Sequence, residues 1–108
     1  MEDGYNGWSC HQAWELALML DNDERANKNL WEFAKIYYKR MDKGTYNRTL
    51  ALKGLIETYI PQNLTRIRKN GLLMYKTYPY IIKKEVAITL LEMIEQEYKY
   101  RGNKKWIN

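Results

Sequence analysis

Apolar residues recur along this chain at intervals of three and four, the period of a helix surface, and rarely on alternate positions as in a strand. Residues 1–8, with two Gly and a Tyr-Asn-Gly-Trp run, read as a turn or extended lead-in. Ser9 and Gln12 have the spacing of a capping box, so a first helix should open there. Its apolar positions are Ala13, Trp14, Ala17 and Leu18, with Asp21 on a neighbouring face. Asp21-Asn22-Asp23-Glu24 ends that helix and begins the next, because carboxylates favour the positive end of the backbone dipole. The second helix should reach about Met41 and pack through Leu30, Phe33, Ala34, Tyr37 and Met41, with Trp31 and Tyr38 on an adjacent stripe.

Gly44 suits a C-terminal cap, and Thr45 or Asn47 can start a third helix reaching Tyr59 or Ile60. Leu50, Ala51, Leu52, Leu55, Ile56 and Tyr59 are its apolar positions, and Gly54 inside it permits close helix approach. Pro61 either ends this helix or opens a short fourth covering Gln62–Lys69. Asn70-Gly71 signals a turn, and residues 72–75 fit a short strand or another helical turn. Pro79 then opens the longest helix, about Tyr80 to Tyr100. Ile81, Ile82, Val86, Ala87, Ile88, Leu90, Leu91, Met93 and Ile94 cover so much of its surface that it should be the central core element. The pattern predicts an all-α fold, a compact single-domain bundle of four to five helices over residues 1–108, with a long central C-terminal helix.

Composition agrees with a single domain: 108 residues, 45% apolar, are enough for one core and not for two. No apolar run approaches the roughly 20 residues of a membrane span, and the start Met1-Glu2-Asp3-Gly4 has no secretory character. Cys10 is the one cysteine, which excludes an internal disulfide and points to a reducing compartment, the cytoplasm. Ten Tyr and four Trp against one Phe suit half-buried surfaces, whether helix packing or interface. Trp14 is expected in the core with Trp8 folded over it, the alternative being Trp8 as an exposed binding hot spot. Charge is divided along the chain. Residues 1–24 hold six acids and no Lys or Arg, whereas residues 25–108 hold all 18 bases and the other seven acids.

Sets of residues that carry catalysis are missing. The six Gly are scattered, so no phosphate loop forms, and one Cys beside one His, at 10 and 11, cannot build a zinc site or a nucleophilic pair. Asp21, Asp23 and Glu24 form the densest carboxylate group, and helix capping accounts for it. The expectation is therefore no catalytic residue, no metal and no cofactor. The basic residues are more informative. Arg66, Arg68, Lys69 and Lys76 form one group, and Lys104 and Lys105 with Tyr100 and Trp106 form another in which aromatics are interleaved. Such a mixture can hold phosphates and stack bases, or face an acidic protein. These eight residues are the candidate binding set.

Tyr5-Asn6-Gly7-Trp8, Trp14, Leu18 and Asp21-Asn22-Asp23-Glu24 together resemble a group of small proteins from phages and other mobile elements. The group's pattern runs Tyr-Asn-Gly-Trp, then Glu-Thr-Trp, then an apolar helix ending in Asn-Asp-Glu. Here His11-Gln12-Ala13 precedes the second Trp instead, and Met19 stands where Trp or Ile is usual. The resemblance spans residues 5–24 and implies a viral or mobile-element origin without implying an activity. The expected function is a non-enzymatic accessory protein that binds, and so inhibits or modulates, a host defence effector of the CRISPR or restriction kind. The alternative is a basic helical nucleic-acid-binding protein or regulator, with a small enzyme third. The expected partner is a host protein complex such as a nuclease effector, or nucleic acid, and not a membrane.

Overall fold

A computed structural model of the chain describes residues 7–69 and 77–101. Helix α1 spans His11–Asp21, α2 Glu24–Asp42, α3 Arg48–Gly54, α4 Ile60–Lys69 and α5 Tyr80–Arg101, with a π-helical turn at Leu55–Tyr59 between α3 and α4. There is no strand among the described residues, and the all-α bundle with a long C-terminal helix is the architecture the apolar pattern predicts. Residues 70–76, including the ambiguous run 72–75, and the terminus beyond 101 lie outside the described residues.

The helix ends follow from local chemistry. Asp23 adopts extended backbone and its carboxylate accepts the Ala26 N–H at 2.8 Å, which caps α2. Asn47 does the same for α3, accepting from the Leu50 N–H at 3.1 Å. At the other end of α2 the Thr45 N–H reaches the Arg40 carbonyl and the Gly44 N–H reaches that of Met41. That pairing closes the helix through a left-handed residue, and Gly44 supplies it at φ 75°. The capping box at Ser9 does not form. Cys10 holds the cap position without a side-chain bond, and the Ser9 N–H and hydroxyl both donate to the Glu85 carboxylate on α5, at 2.9 and 2.5 Å. A charged acceptor makes the stronger bond, so the serine ties the lead-in to α5 and leaves α1 uncapped.

Pro61 neither ends a helix nor opens a separate one. The backbone stays right-handed helical through Gly54, Leu55 and Ile60, so α3, the π turn and α4 run on without a break. A proline ring pushes against the carbonyl four residues earlier and gives that carbonyl no donor. The widened turn at Leu55–Tyr59 includes that carbonyl, at Glu57, and absorbs the mismatch.

Helix α5 is the centre of the bundle, touching α1, α2, α3 and the π turn. Ile82, Val86, Ala87, Leu91 and Ile94 are its buried residues. Leu90 is only half-buried and Met93 is 44% exposed, so neither belongs to the core assigned from the pattern. Phe33 is half-buried too, packed edge-on against Tyr59, while Leu30, Leu55 and Ile56 are core as expected. Helix α1 presents two apolar stripes. Ala13, Leu16 and Leu20 are buried, whereas Trp14 and Ala17 are half-buried and Leu18 is exposed. Of the positions expected to face the core, Ala13 does so and Trp14, Ala17 and Leu18 do not.

Tyrosines account for much of the helix-to-helix bonding. The Tyr59 hydroxyl donates to the Ala26 carbonyl at 2.8 Å, Tyr37 to that of Ala51 at 3.1 Å, and Tyr78 to the Glu15 carboxylate at 2.7 Å. Tyr38 stacks on Tyr98, and its burial, with the Glu97 charge, pushes its phenol up to about 12. These contacts use the aromatic excess as packing with a polar tip. They also explain Gly54. A Cβ there would stand 2.7 Å from the buried Tyr37 hydroxyl. Gly54→Ala should therefore destabilise the fold, although the same change in an open helix gains about 1 kcal/mol. In a Tyr37→Phe background the sign should reverse. Urea unfolding of the four proteins in the cycle checks this, and a stabilising Gly54→Ala in the parent chain overturns it.

Candidate binding cleft

The unburied stripe of α1 borders a hollow. Trp14, Ala17, Leu18 and Asp21 form one wall of a cleft of about 300 Å³, and Thr89, Leu90 and Met93 of α5 form the facing wall. Leu30, Tyr59 and Val86 make its floor, and Trp8 stands at its edge. The two bonds from Ser9 to Glu85 fasten the residue after Trp8 to α5, which is how a segment outside any helix comes to border the cleft. The His11 ring lies 5.3 Å from that of Trp14, tilted by 48°. Asn27 lines the inner end, its amide donating to the Asp21 carbonyl at 2.7 Å. An apolar hollow with a few polar groups at its margin is the usual form of a site that takes a side chain or a small apolar ligand.

The acidic cluster beside the cleft divides into two roles. Asp23 meets Arg66 in a fork, Nη2 to Oδ1 at 2.6 Å and Nη1 to Oδ2 at 3.2 Å. Arg66 Nη2 also donates to the Oδ1 of buried Asn63 at 2.9 Å, an oxygen that accepts from Asn29 as well, at 3.1 Å. This network joins the start of α2 to α4. Arg66 holds the Asp23 carboxyl below its ordinary value, chiefly by hydrogen bonding, against the opposing effect of burial. Asp21, at the end of α1, has no such partner: none of the ion pairs of the described residues includes it.

The candidate basic residues are thereby sorted. Arg66 is engaged inside the fold, and Arg68, next but one on α4, is half-buried. Tyr100 is 86% exposed near the end of α5, where Arg101 pairs with Glu97 at 2.9 Å one turn earlier. Lys76, Lys104, Lys105 and Trp106 lie outside the described residues, as does the side chain of Lys69. Of the two groups, Arg66 and Arg68 therefore lie on α4 and Tyr100 on α5. Among the described residues no group of His, Cys, Asp or Glu gathers in a way that could hold a metal ion.

Arg66→Ala should cost about 2 kcal/mol, since it strands a half-buried carboxylate and removes a charge-assisted fork. The pH dependence has a definite sign. A carboxyl held low in the folded state adds stability above its unfolded value, near pH 4, and loses it as pH falls through the folded value. The stability gap between parent and Arg66→Ala should thus be flat near neutrality and shrink below about pH 4. Urea melts across that range measure it; a gap that grew on acidification would remove Arg66 from this role. A substitution at Arg66 consequently tests folding before it tests any partner.

Of the cleft residues, Trp8, Trp14 and Leu18 were visible in the sequence as aromatic or apolar, and the signal available was that α1 carries more apolar positions than one face can bury. Leu90 and Met93 carried no separate signal, being part of the broad apolar surface of α5. Compared with family models, with curated proteins and with solved structures, the chain matches none.

Proposed function

We propose that this protein is a non-enzymatic accessory protein of a virus or mobile element that works by binding a host protein through the α1/α5 cleft, inhibiting or modulating a defence effector. The observation that carries this reading is the position of the resembling segment. Trp8, Trp14, Leu18 and Asp21, all within residues 5–24, are among the residues that border the cleft. Trp14 and Leu18 stay out of the buried core, where Ala13, Leu16 and Leu20 serve, and Trp8 only packs against that core in part. Large aromatics half-exposed around a hollow are the usual composition of a protein-binding hot spot. The targeting of a defence effector rests on the mobile-element resemblance alone.

The experiment is capture from host lysate by the immobilised chain, before and after nuclease treatment. A partner retained after nuclease, and inhibited in its own assay by added protein, supports the reading. A partner lost with the nucleic acid favours the alternative of a basic nucleic-acid-binding protein, for which the excess of bases over residues 25–108 is the supporting feature.

A further inference from the structure

Resting on the reading that the cleft docks a protein, we propose that the docked segment is basic: a bulky apolar side chain fills the cleft and a neighbouring Lys or Arg meets Asp21. Among the described residues that line the cleft, this carboxylate is the single charge; Asn27 and Thr89 are neutral and nearly all the rest is apolar. Asp21 is the last residue of α1, the negative end of that helix, and no basic residue stands in its last turn. An anion at that position is locally unfavourable, and a cation arriving there interacts with the carboxylate and the helix end together. Asp23 offers a contrast within the same cluster. Its carboxylate caps α2 and is held in the fork with Arg66, so it is already engaged within the fold.

Two further features agree in sign. The faces of Trp8 and Trp14, at the margin of the same hollow, attract cations. The Asp21 charge also reaches the floor of the cleft, where burial first, then Asp23 and more weakly Asp21, raise the Tyr59 phenol. The size of the hollow, about 300 Å³, lies at the lower end of ligand sites and suits one or two anchoring side chains. The preference runs against the whole molecule, whose net charge of +5 favours acidic partners at long range. A basic preference is therefore a local property and can be assigned to the cleft.

The test uses three labelled helical peptides of about four turns on a common Ala/Gln frame. One carries a Leu and a Trp anchor flanked by Lys, the second has Glu for Lys, and the third keeps Lys but has Ala for both anchors. Fluorescence anisotropy is measured with the full chain and with Asp21→Asn and Asp21→Lys, each checked for unchanged helix content by circular dichroism. The expected order is the anchored Lys peptide about tenfold or more tighter than either other. Asp21→Asn should erase its advantage over the Glu peptide, and Asp21→Lys should invert it. A Glu peptide that binds as well as the Lys peptide, or a preference unchanged in Asp21→Lys, overturns the inference. The two levels fail differently. Anchored peptides that bind regardless of charge overturn the basic partner while leaving the cleft as a docking site; anchored peptides that bind no better than the anchorless one overturn both.

Discussion

Leu91→Asp should abolish folding, whereas Leu90→Asp, one residue earlier on the same helix, should leave a folded protein. Leu91 has no exposed surface and lies at the centre of α5, which touches α1, α2, α3 and the π turn. A carboxyl there has no partner and either ionises in an apolar surround or stays protonated with its hydrogen bonds unmet. Adding the lost packing of the leucine, the cost is several kcal/mol, comparable with the total stability of a domain this size, about 5–15 kcal/mol. Leu90 instead lines the cleft and is half-buried, so a carboxylate can reach water past Met93. The expected loss is about 1–2 kcal/mol, the partial burial of one leucine. Far-ultraviolet circular dichroism with thermal melts decides both. A cooperative transition in Leu91→Asp, or its absence in Leu90→Asp, would mean that the rotation of α5 about its axis is wrong.

That pair also marks where sequence reasoning stops. Helical period, caps at Asp23 and Asn47 and the glycine exit at Gly44 are local signals, and the elements they define are present. Which face of an apolar helix turns inward is not local. Helix α5 has apolar residues nearly all round, so its period could not separate Leu91 from Leu90. On α1 the expected core set is Ala13, Trp14, Ala17 and Leu18, yet the core keeps only Ala13 of these and adds Leu16 and Leu20. Close packing against α2 and α5 favours the smaller stripe and leaves the bulky one at the surface. Ser9 failed as a cap for the same reason, because Glu85, 76 residues away, offered a better acceptor. The basic candidates illustrate the converse case. Arg66 looks like a surface charge in sequence, and only the approach of α4 to the start of α2 shows it spent on Asp23.

The sharpest consequence for function is that Leu18→Gln with Met93→Gln should remove partner binding from a protein of parental stability. Leu18 is 40% exposed and Met93 44%, on opposite walls of the cleft, so each already meets water. Glutamine matches methionine in length and both parent residues in helix preference, so the fold should lose no more than about 0.5 kcal/mol at each site. The change is also neutral, which keeps it apart from any effect of charge at Asp21. Binding responds differently from folding. A side chain entering the hollow buries these two residues further, and each now brings an amide that must give up water without a guaranteed partner. Two such losses at the centre of an interface amount to about 2–4 kcal/mol, or roughly 30- to 1,000-fold in Kd. Titration calorimetry of the double variant against the captured partner, alongside its urea melt, measures the two quantities on one sample. Unchanged affinity in a stably folded double variant would remove the cleft from the interface and direct attention to the exposed Tyr100 end of α5, whose bases would then show themselves by a steep fall of affinity with salt.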